Sequence, residues 1–227
     1  MRPKLRTRWN LTPRQAARLQ ERLRGRAELH DRLDSIRHIA GADMAFDPKT
    51  NLAFAGVIVY RFPEMAEVER AMARRRLRFP YVPGLLSFRE IPILLAAFAR
   101  LRTEPDVLLV DGHGLAHPRR FGIACHLGLI LDKPAIGCAK SRLVGEHRDP
   151  AMRAGATATL YFQGAKVGAV LRTRTGVKPI YVTQGHRVSL PTALRIVRKC
   201  LDGFRIPKPT READRYVREL RRLYSRP

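Results

Sequence analysis

The sequence predicts an α/β protein, a mixed β-sheet with helices on both of its faces. Two apolar segments of strand length come early in the chain, at 39–46 and 52–60, with turn formers between them, and a third strand is predicted over 65–76, where the alternation is poor. They predict an antiparallel meander. Two short apolar segments follow at 107–110 and 135–139, with a helical pattern between them. This strand–helix–strand order is typical of parallel strands that are buried on both faces.

The first helix is predicted from its capping residues. Thr12-Pro-Arg-Gln15 combines a capping box with a proline in the first turn, and apolar residues from Ala16 to Ala27 recur on one face. We therefore expect a helix over about residues 12–35, packed on the outside of the core. No long linker interrupts the chain, so we expect residues 1–227 to form a single domain. Further helices are predicted over 87–101, 120–131, 189–201 and 210–223, and further strands over 158–162, 166–172 and 180–183.

The charge of the chain predicts a polyanionic partner. Its 44 lysines and arginines outnumber its 20 aspartates and glutamates, which leaves a net charge of +24. A fold does not need such an excess, whereas nucleic acid attracts it, and such binding weakens as the salt concentration rises. The alternative is a solvated basic surface from an arginine-rich proteome, since only 8 of the 44 basic residues are lysine.

Other features predict a cytoplasmic monomer that does not contact membranes. The opening residues are basic but no apolar run follows them, so we expect no signal peptide. No segment reaches the roughly 18 apolar residues that span a bilayer. Cys125, Cys138 and Cys200 are odd in number and lack metal-type spacing, which favours buried, reduced thiols.

Three carboxylates are candidates for a metal site. Asp43 lies within an apolar strand, where an unpaired carboxylate is costly to bury, although an ion-paired or strand-end aspartate explains it equally well. Asp111 follows the strand at 107–110 and precedes Gly-His-Gly, a usual place for a site in α/β proteins but also a common turn. Glu90 ends Ser87-Phe-Arg-Glu90, which matches a capping box, and the residues alone favour that capping role. If the three carboxylates converge, they suit Mg²⁺ or Mn²⁺, which prefer oxygen ligands.

Two further features are compatible with nucleic-acid chemistry. Lys140 follows the strand at 135–139, where a cation can stabilise charge on a phosphate, although a solvated lysine is the commoner case. Phe79-Pro-Tyr-Val-Pro83 holds Tyr81 in a stiff, extended loop. A rigid aromatic ring on a loop can stack on a base or separate base pairs. Packing of Tyr81 into the interior explains the pattern equally well.

Six segments in order resemble the motifs of the endonuclease V family. The two most specific are Pro80-Tyr-Val-Pro-Gly-Leu-Leu-Ser-Phe-Arg-Glu90 and Val110-Asp-Gly-His-Gly-Leu-Ala-His-Pro-Arg-Arg-Phe-Gly-Ile-Ala-Cys-His-Leu-Gly128. The likeness covers nearly the whole chain, from about Thr12 to Tyr216. The other four segments are Gly41-Ala-Asp-Met-Ala-Phe46, Gly137-Cys-Ala-Lys-Ser-Arg-Leu-Val-Gly145, Gly185-His-Arg-Val-Ser-Leu190 and Pro209-Thr-Arg-Glu-Ala-Asp214.

The resemblance implies a ribonuclease H-like fold and a DNA repair endonuclease that recognises deaminated bases, chiefly hypoxanthine in deoxyinosine. It implies Mg²⁺-dependent hydrolysis of the second phosphodiester bond 3′ to the lesion, leaving a 3′-hydroxyl and a 5′-phosphate, with Mn²⁺ able to substitute. By the same likeness Asp43, Glu90 and Asp111 hold the metal. Lys140 faces the scissile phosphate and Asp214, a position where some relatives have His, lies nearby. The residues implied to contact the substrate are Pro80, Tyr81, Val82, Pro83, Gly84, Leu86, Gly112, His117 and Gly122.

Two alternative functions stay open at this point. The family includes enzymes that act on DNA and on RNA, and no residue here recognisably reads a 2′-hydroxyl. An inosine-specific ribonuclease that acts on single-stranded RNA is therefore the first alternative. A non-catalytic nucleic-acid-binding protein is the second, and the charge of +24 and Tyr81 would serve it as well. Such a binder has no need for three carboxylates, which would repel phosphates unless a metal intervened.

Overall fold

The computed structural model describes residues 1–224, in which five helices pack against one eight-stranded sheet. The strands are β1 His38–Asp47, β2 Leu52–Arg61, β3 Ala66–Arg76, β4 Val107–Val110, β5 Ala135–Ala139, β6 Thr157–Phe162, β7 Ala165–Leu171 and β8 Ile180–His186. The helices are α1 Pro13–Arg24, α2 Leu86–Phe98, α3 Ile123–Leu131, α4 Leu190–Lys199 and α5 Lys208–Tyr224. None of these helices is long and apolar enough to cross a membrane.

The sheet is mixed, with its parallel part in the middle. Its strand order is β3-β2-β1-β4-β5-β8-β7-β6. β4 runs parallel to both of its neighbours, β1 and β5, whereas the other neighbouring pairs are antiparallel. The predicted α/β arrangement is confirmed, including the antiparallel meander of β1 to β3 and the parallel strands that follow it.

The central strand β4 shows why both faces of the sheet need helices. All four of its residues are buried, and successive side chains enter different layers of the core. Leu108 and Val110 pack in the layer that contains α2 and α3. Val107 and Leu109 pack in the layer that contains α4. Because β4 has no polar side chain along its length, the residue directly after it is the first place where a polar group can enter this part of the sheet.

The N-terminal helix is shorter than the predicted range of 12–35. The predicted capping box is present at its first turn, but the helix ends at Arg24. Gly25 follows, and glycine is a weak helix former because it loses the most backbone entropy. Beyond it the chain follows the connection between β8 and α4, where Asp31 accepts hydrogen bonds from the backbone N–H and the hydroxyl of Ser189 (2.7 and 2.8 Å). These polar contacts hold the segment after Arg24 in an extended path that helical periodicity does not predict.

The three cysteines are free and buried, as predicted. Cys138 and Cys200 pack in the same core layer as α4. Cys125 packs against Leu23 of α1 and Phe121. Burial raises the pKa of the Cys125 and Cys200 thiols to about 12, so these side chains behave as small apolar groups.

Candidate active site

Two neighbouring strands bring Asp43 and Asp111 together. In the parallel pair of β1 and β4, Ala42 lies opposite Val110, so Asp43 and Asp111 are the next residues along each chain. β4 ends at this point, whereas β1 continues and keeps Asp43 opposite Gly56 of β2. Both aspartates are partly buried at the carboxyl end of β4. Sites in α/β sheets form at such strand ends.

Asp43 lies in a crowded acidic environment. Its Oδ1 accepts a hydrogen bond from the backbone N–H of Met44 (2.7 Å). Burial and the nearby charge of Asp111 nevertheless raise the pKa of Asp43 well above its usual range, and Glu90 and Asp214 act in the same direction. Several acidic side chains that together oppose the ionisation of one buried carboxylate are more typical of a functional site than of a structural ion pair.

Glu90 does not cap its helix, so the role favoured from the residues alone is wrong. α2 begins at Leu86 without a capping hydrogen bond from a side chain. Ser87, the first residue of the supposed capping box, is buried and pairs through its hydroxyl with Nδ1 of His126 (3.0 Å). Burial and the charge of Asp111 raise the pKa of Glu90 to about 8. The Glu90 carboxyl therefore belongs to the same acidic group as the two aspartates.

Lys140 and Asp214 complete this group. Lys140 follows β5, and its Nζ lies 2.5 Å from Oδ2 of Asp111 and 3.8 Å from Oδ2 of Asp214 on α5. Burial favours the neutral amine, but the hydrogen bond to Asp111 and the surrounding negative charges outweigh it and raise the pKa of Lys140. Asp214 also accepts a hydrogen bond from Nε of Arg218 (3.0 Å). We call the four acidic residues the acidic cluster: Asp43, Glu90, Asp111 and Asp214.

The donor chemistry of the acidic cluster fits a hydrated divalent cation. Among residues 1–224, no three acidic, histidine or cysteine side chains form a ready-made metal cage. Mg²⁺ does not require such a cage, because it keeps several waters and binds through one or two carboxylates. Because the pKa values of both Asp43 and Glu90 are raised, added positive charge would favour the ionised forms of these carboxyls. The acidic cluster therefore fits a Mg²⁺ ion that keeps part of its water shell better than it fits a metal surrounded on all sides by protein ligands.

Replacing Glu90 by glutamine is expected to stabilise the protein in chelator, by an amount that grows with pH. The wild-type carboxyl holds its proton up to a pKa of about 8 when folded. The unfolded chain releases the proton near its ordinary pKa of about 4.3. The free energy of unfolding of the wild-type protein therefore falls as pH rises between these two pKa values. The neutral amide of the variant does not titrate and avoids this decrease. Urea unfolding should show a gain of about 1 kcal/mol or more at about pH 8 and little gain at about pH 5.

The matched control for this measurement is Glu64→Gln, a change to an exposed carboxylate before β3. It should alter the free energy of unfolding by less than about 0.5 kcal/mol at every pH. If the free energy of unfolding of Glu90→Gln differs from that of wild type by the same amount at every pH, the placement of Glu90 in the acidic cluster is contradicted.

A cavity of about 350 Å³ adjoins the acidic cluster. Glu90, Asp111 and Lys140 form part of its wall. Most of the residues that the resemblance implies for substrate contact also line it. These are Tyr81, Pro83, Gly84, Leu86, Gly112, His117 and Gly122.

The loop of residues 79–84 presents its side chains to different surroundings. Tyr81 is 68% exposed at the cavity, so the interpretation that it packs into the interior is wrong. Val82 instead packs inward, against the apolar cluster that contains Phe79 and Phe88. Pro80 does not line this cavity but borders a separate groove. Val82 therefore anchors the loop, and Tyr81 is its accessible aromatic ring.

Two side chains fix the cavity wall at Gly84. Nε2 of His117 lies 2.9 Å from the Gly84 carbonyl oxygen, and Nδ1 of His117 accepts from the N–H of Arg119 (3.2 Å). The Nε2 nitrogen therefore carries the proton and donates to Gly84. Arg119 donates to the same carbonyl oxygen (2.7 Å) and, through Nε, to Oε1 of Gln20 (2.6 Å). Burial lowers the pKa of His117 to about 4, so the ring is neutral near pH 7 and acts here as a clamp.

The sequence did not point to Arg119 or Gln20. Gln20 offered one signal, because it shares a helix face with Ala16 and Leu23 and all three are buried. A polar residue in a buried stripe requires a partner. Nothing in the sequence could show that this partner is Arg119, since 99 positions separate the two residues.

The glycine-rich turn after β4 is packed tightly against β8. A side chain at Gly114 would collide with the backbone carbonyl of Gln184, and the N–H of Gly114 donates to Oγ1 of Thr183 (2.7 Å). The N–H of Leu115 also donates to the Gln184 carbonyl (2.7 Å). These contacts fix the turn that carries Asp111, although β5 lies between β4 and β8 in the sheet.

Known proteins are similar to this chain in sequence and in fold. Residues 19–215 match the model of the family described as Endonuclease V. A protein named Endonuclease V from Roseiflexus sp. (strain RS-1) is 50% identical over 206 residues, which cover 91% of this chain and 92% of its own. The crystal structure of Endonuclease V from Streptomyces avermitilis matches with a TM-score of 0.91 at 38% identity, over 96% of each chain. Endonuclease V from Ciona intestinalis, in complex with a 24mer DNA containing an inosine followed by a ribo-adenosine, matches with a TM-score of 0.79 at 28% identity, over 91% of this chain and 97% of that one.

Proposed function

The chain belongs to the endonuclease V family, and on that premise we propose that it is a DNA repair endonuclease for deaminated bases, chiefly hypoxanthine in deoxyinosine. It hydrolyses the second phosphodiester bond 3′ to the lesion, leaves a 3′-hydroxyl and a 5′-phosphate, and does not remove the base. The observation that carries this proposal is the cavity of about 350 Å³, because Glu90, Asp111 and Lys140 belong both to its wall and to the charged group beside it. Its fold is the ribonuclease H-like α/β fold of the family.

The acidic cluster is proposed to bind Mg²⁺, for which Mn²⁺ substitutes. Asp43, Glu90 and Asp111 would hold the ion, and Asp214 lies beside them through its contact with Lys140. A divalent ion held by these residues would supply Lewis-acid chemistry, by polarising the phosphoryl oxygen, activating water and stabilising the leaving oxygen. Lys140 has an ammonium group that can donate to an oxygen of the scissile phosphate, where negative charge increases during hydrolysis.

The cavity is proposed to hold the lesion base after it leaves the duplex stack. Gly84 and Gly112 bring backbone groups to its wall, and the clamp from His117 keeps the Gly84 carbonyl in one orientation. Fixed backbone groups can distinguish hypoxanthine from adenine, because the two bases differ by an oxygen and an amino group on the Watson–Crick edge. The exposed ring of Tyr81 stands beside this cavity and, together with Pro80, Val82 and Pro83, would form the wedge that separates the strands.

The proposal includes a monomer that acts in the cytoplasm. The acidic cluster, Lys140 and the whole cavity come from one chain, so no second copy is needed to complete the site. The three buried, free thiols are those of a protein that folds under reducing conditions.

The substrate is tested by comparing cleavage rates on matched nucleic acids in Mg²⁺. The substrates are a duplex with one deoxyinosine, the same duplex with deoxyadenosine, and a single-stranded RNA with one inosine. We expect a preference for deoxyinosine over deoxyadenosine of at least about a hundredfold, because a site with fixed hydrogen-bonding groups rejects a mismatched edge. Faster cleavage of the RNA would favour the ribonuclease alternative. Tight binding without cleavage of any substrate would favour the non-catalytic alternative.

A further inference from the structure

A second concave surface meets the same loop that borders the cavity. It is a groove of about 580 Å³. Phe79 and Pro80 line this groove, whereas the following residues Tyr81, Pro83 and Gly84 line the cavity. The two spaces therefore meet at the loop of residues 79–84. Apart from Pro80, which belongs to the wedge, none of the residues that line the groove has a role in the proposed function.

The groove is strongly basic. Four arginines line it, and none of its lining residues is acidic. Arg75, Arg76 and Arg78 are exposed and, within residues 1–224, make no ion pair or side-chain hydrogen bond. Arg89 differs from these three, because it donates to the Phe79 carbonyl (3.0 Å) and its guanidinium lies 4.5 Å from the centre of the Phe46 ring. Three guanidinium groups thus carry charge that the protein itself does not neutralise.

The floor of the groove is apolar and partly aromatic. Trp9 is partly exposed there and packs edge-on against Phe88, with 6.2 Å between ring centres. Leu77, Pro80 and Pro92 extend this floor. An apolar, aromatic surface with a rim of cations is typical of sites for single-stranded nucleic acid, where bases stack on rings and phosphates pair with cations.

We propose that this groove binds the strand opposite the lesion, over the short stretch that loses its pairing when the wedge opens the duplex. The inference rests on the proposed function, because it takes the loop of residues 79–84 to separate the strands. If the lesion base enters the cavity beside Tyr81, the opposite strand is released at the same loop and exposes its unpaired bases there. The groove begins at Pro80, offers a surface for those bases and supplies the charges that their phosphates require.

The test compares duplex with single-stranded binding in an Arg76→Gln/Arg78→Gln double variant. Dissociation constants are measured by fluorescence anisotropy in chelator, for a labelled deoxyinosine strand alone and for the same strand in a duplex. The variant should bind the duplex at least about tenfold more weakly and the single strand less than about twofold more weakly, because only the duplex has an opposite strand. For duplex binding, the slope of the logarithm of the binding constant against the logarithm of the salt concentration should correspond to about two fewer phosphate contacts in the variant.

Arg153→Gln/Arg174→Gln is the matched control. These two arginines are exposed, make no side-chain hydrogen bond or ion pair within residues 1–224, and lie near β6 and β7 at the other end of the sheet. The control should bind both substrates within about twofold of wild type. Trp9 is the chain's only tryptophan, so its fluorescence gives a separate signal that should change more with duplex than with single strand.

An equal loss of duplex and single-strand binding would overturn the inference and assign the groove to the lesion strand. Unchanged duplex binding would overturn it as well and exclude the groove from nucleic-acid contact. Failure of the proposed function is distinct, since it would appear as the absence of cleavage of inosine substrates by the wild-type chain in Mg²⁺. A duplex-specific loss of binding would still support a strand-binding groove in that case.

Discussion

Replacing Asp43 or Asp111 by alanine is expected to lower the rate of strand cleavage by at least about a thousandfold. Asp43 on β1 and Asp111 directly after β4 follow the paired residues Ala42 and Val110, and both carboxylates would contact the metal. Without one of them, the ion loses both affinity and position relative to the phosphate. Single-turnover cleavage of a deoxyinosine duplex in Mg²⁺ measures this loss.

Binding and stability separate this effect from a general loss of structure. In chelator both variants should bind the duplex within about threefold of wild type or more tightly, because removing an acidic group near phosphates reduces repulsion. The Asp43→Ala protein should also be at least as stable as wild type near pH 7, since burial and Asp111 already disfavour the ionised Asp43 carboxyl. Asp34→Ala, at an exposed residue in the segment after α1, is the control and should cleave normally. Turnover near the wild-type rate by either site variant would refute the metal assignment.

Replacing Lys140 by alanine is expected to lower the cleavage rate by about a hundredfold or more. The Lys140 ammonium is held 2.5 Å from Asp111 at the end of β5, so it is already positioned beside the group that would bind the metal. A fixed cation stabilises charge on the transition state without reorganisation, and the loss of such a group costs a few kcal/mol. Single-turnover rates at saturating Mg²⁺ measure the effect.

The Mg²⁺ dependence of the Lys140→Ala variant gives a second readout. Lys140 and the metal compete for the negative charge of Asp111, so the half-saturating Mg²⁺ concentration should fall while the maximal rate also falls. Lys133→Ala is the control, because Lys133 precedes β5, at the end of the strand away from the site, and pairs with Glu104 (3.0 Å). Cleavage by Lys140→Ala within about threefold of wild type would show that this lysine only neutralises Asp111.

Parts of the fold and site could be predicted from local sequence patterns. β4 and β5 have the predicted bounds because a strand buried on both faces is apolar along its whole length. Asp111 was a candidate because it stands directly where such a strand ends. Its closeness to Asp43 depends on the register between β1 and β4, which spacing along the chain does not encode.

Other parts depend on contacts between distant segments. Ser87 and Glu90 match the sequence motif of a capping box, but the Ser87 hydroxyl forms a hydrogen bond with His126 instead. This partner is determined by the packing of α2 on α3. In the loop of residues 79–84, neighbouring residues border different spaces, so the motif as a whole did not reveal that Pro80 and Tyr81 have different surroundings.

The position and the metal dependence of the cut identify the reaction that the chain catalyses. An end-labelled duplex with one deoxyinosine should be cut once, at the second phosphodiester bond 3′ to the lesion, with a ligatable 5′-phosphate on the downstream product. The cut should disappear in chelator and return with Mg²⁺ or Mn²⁺. Cleavage of an undamaged duplex at the same rate, a cut at another bond, or activity that persists in chelator would contradict a metal-dependent endonuclease for deoxyinosine.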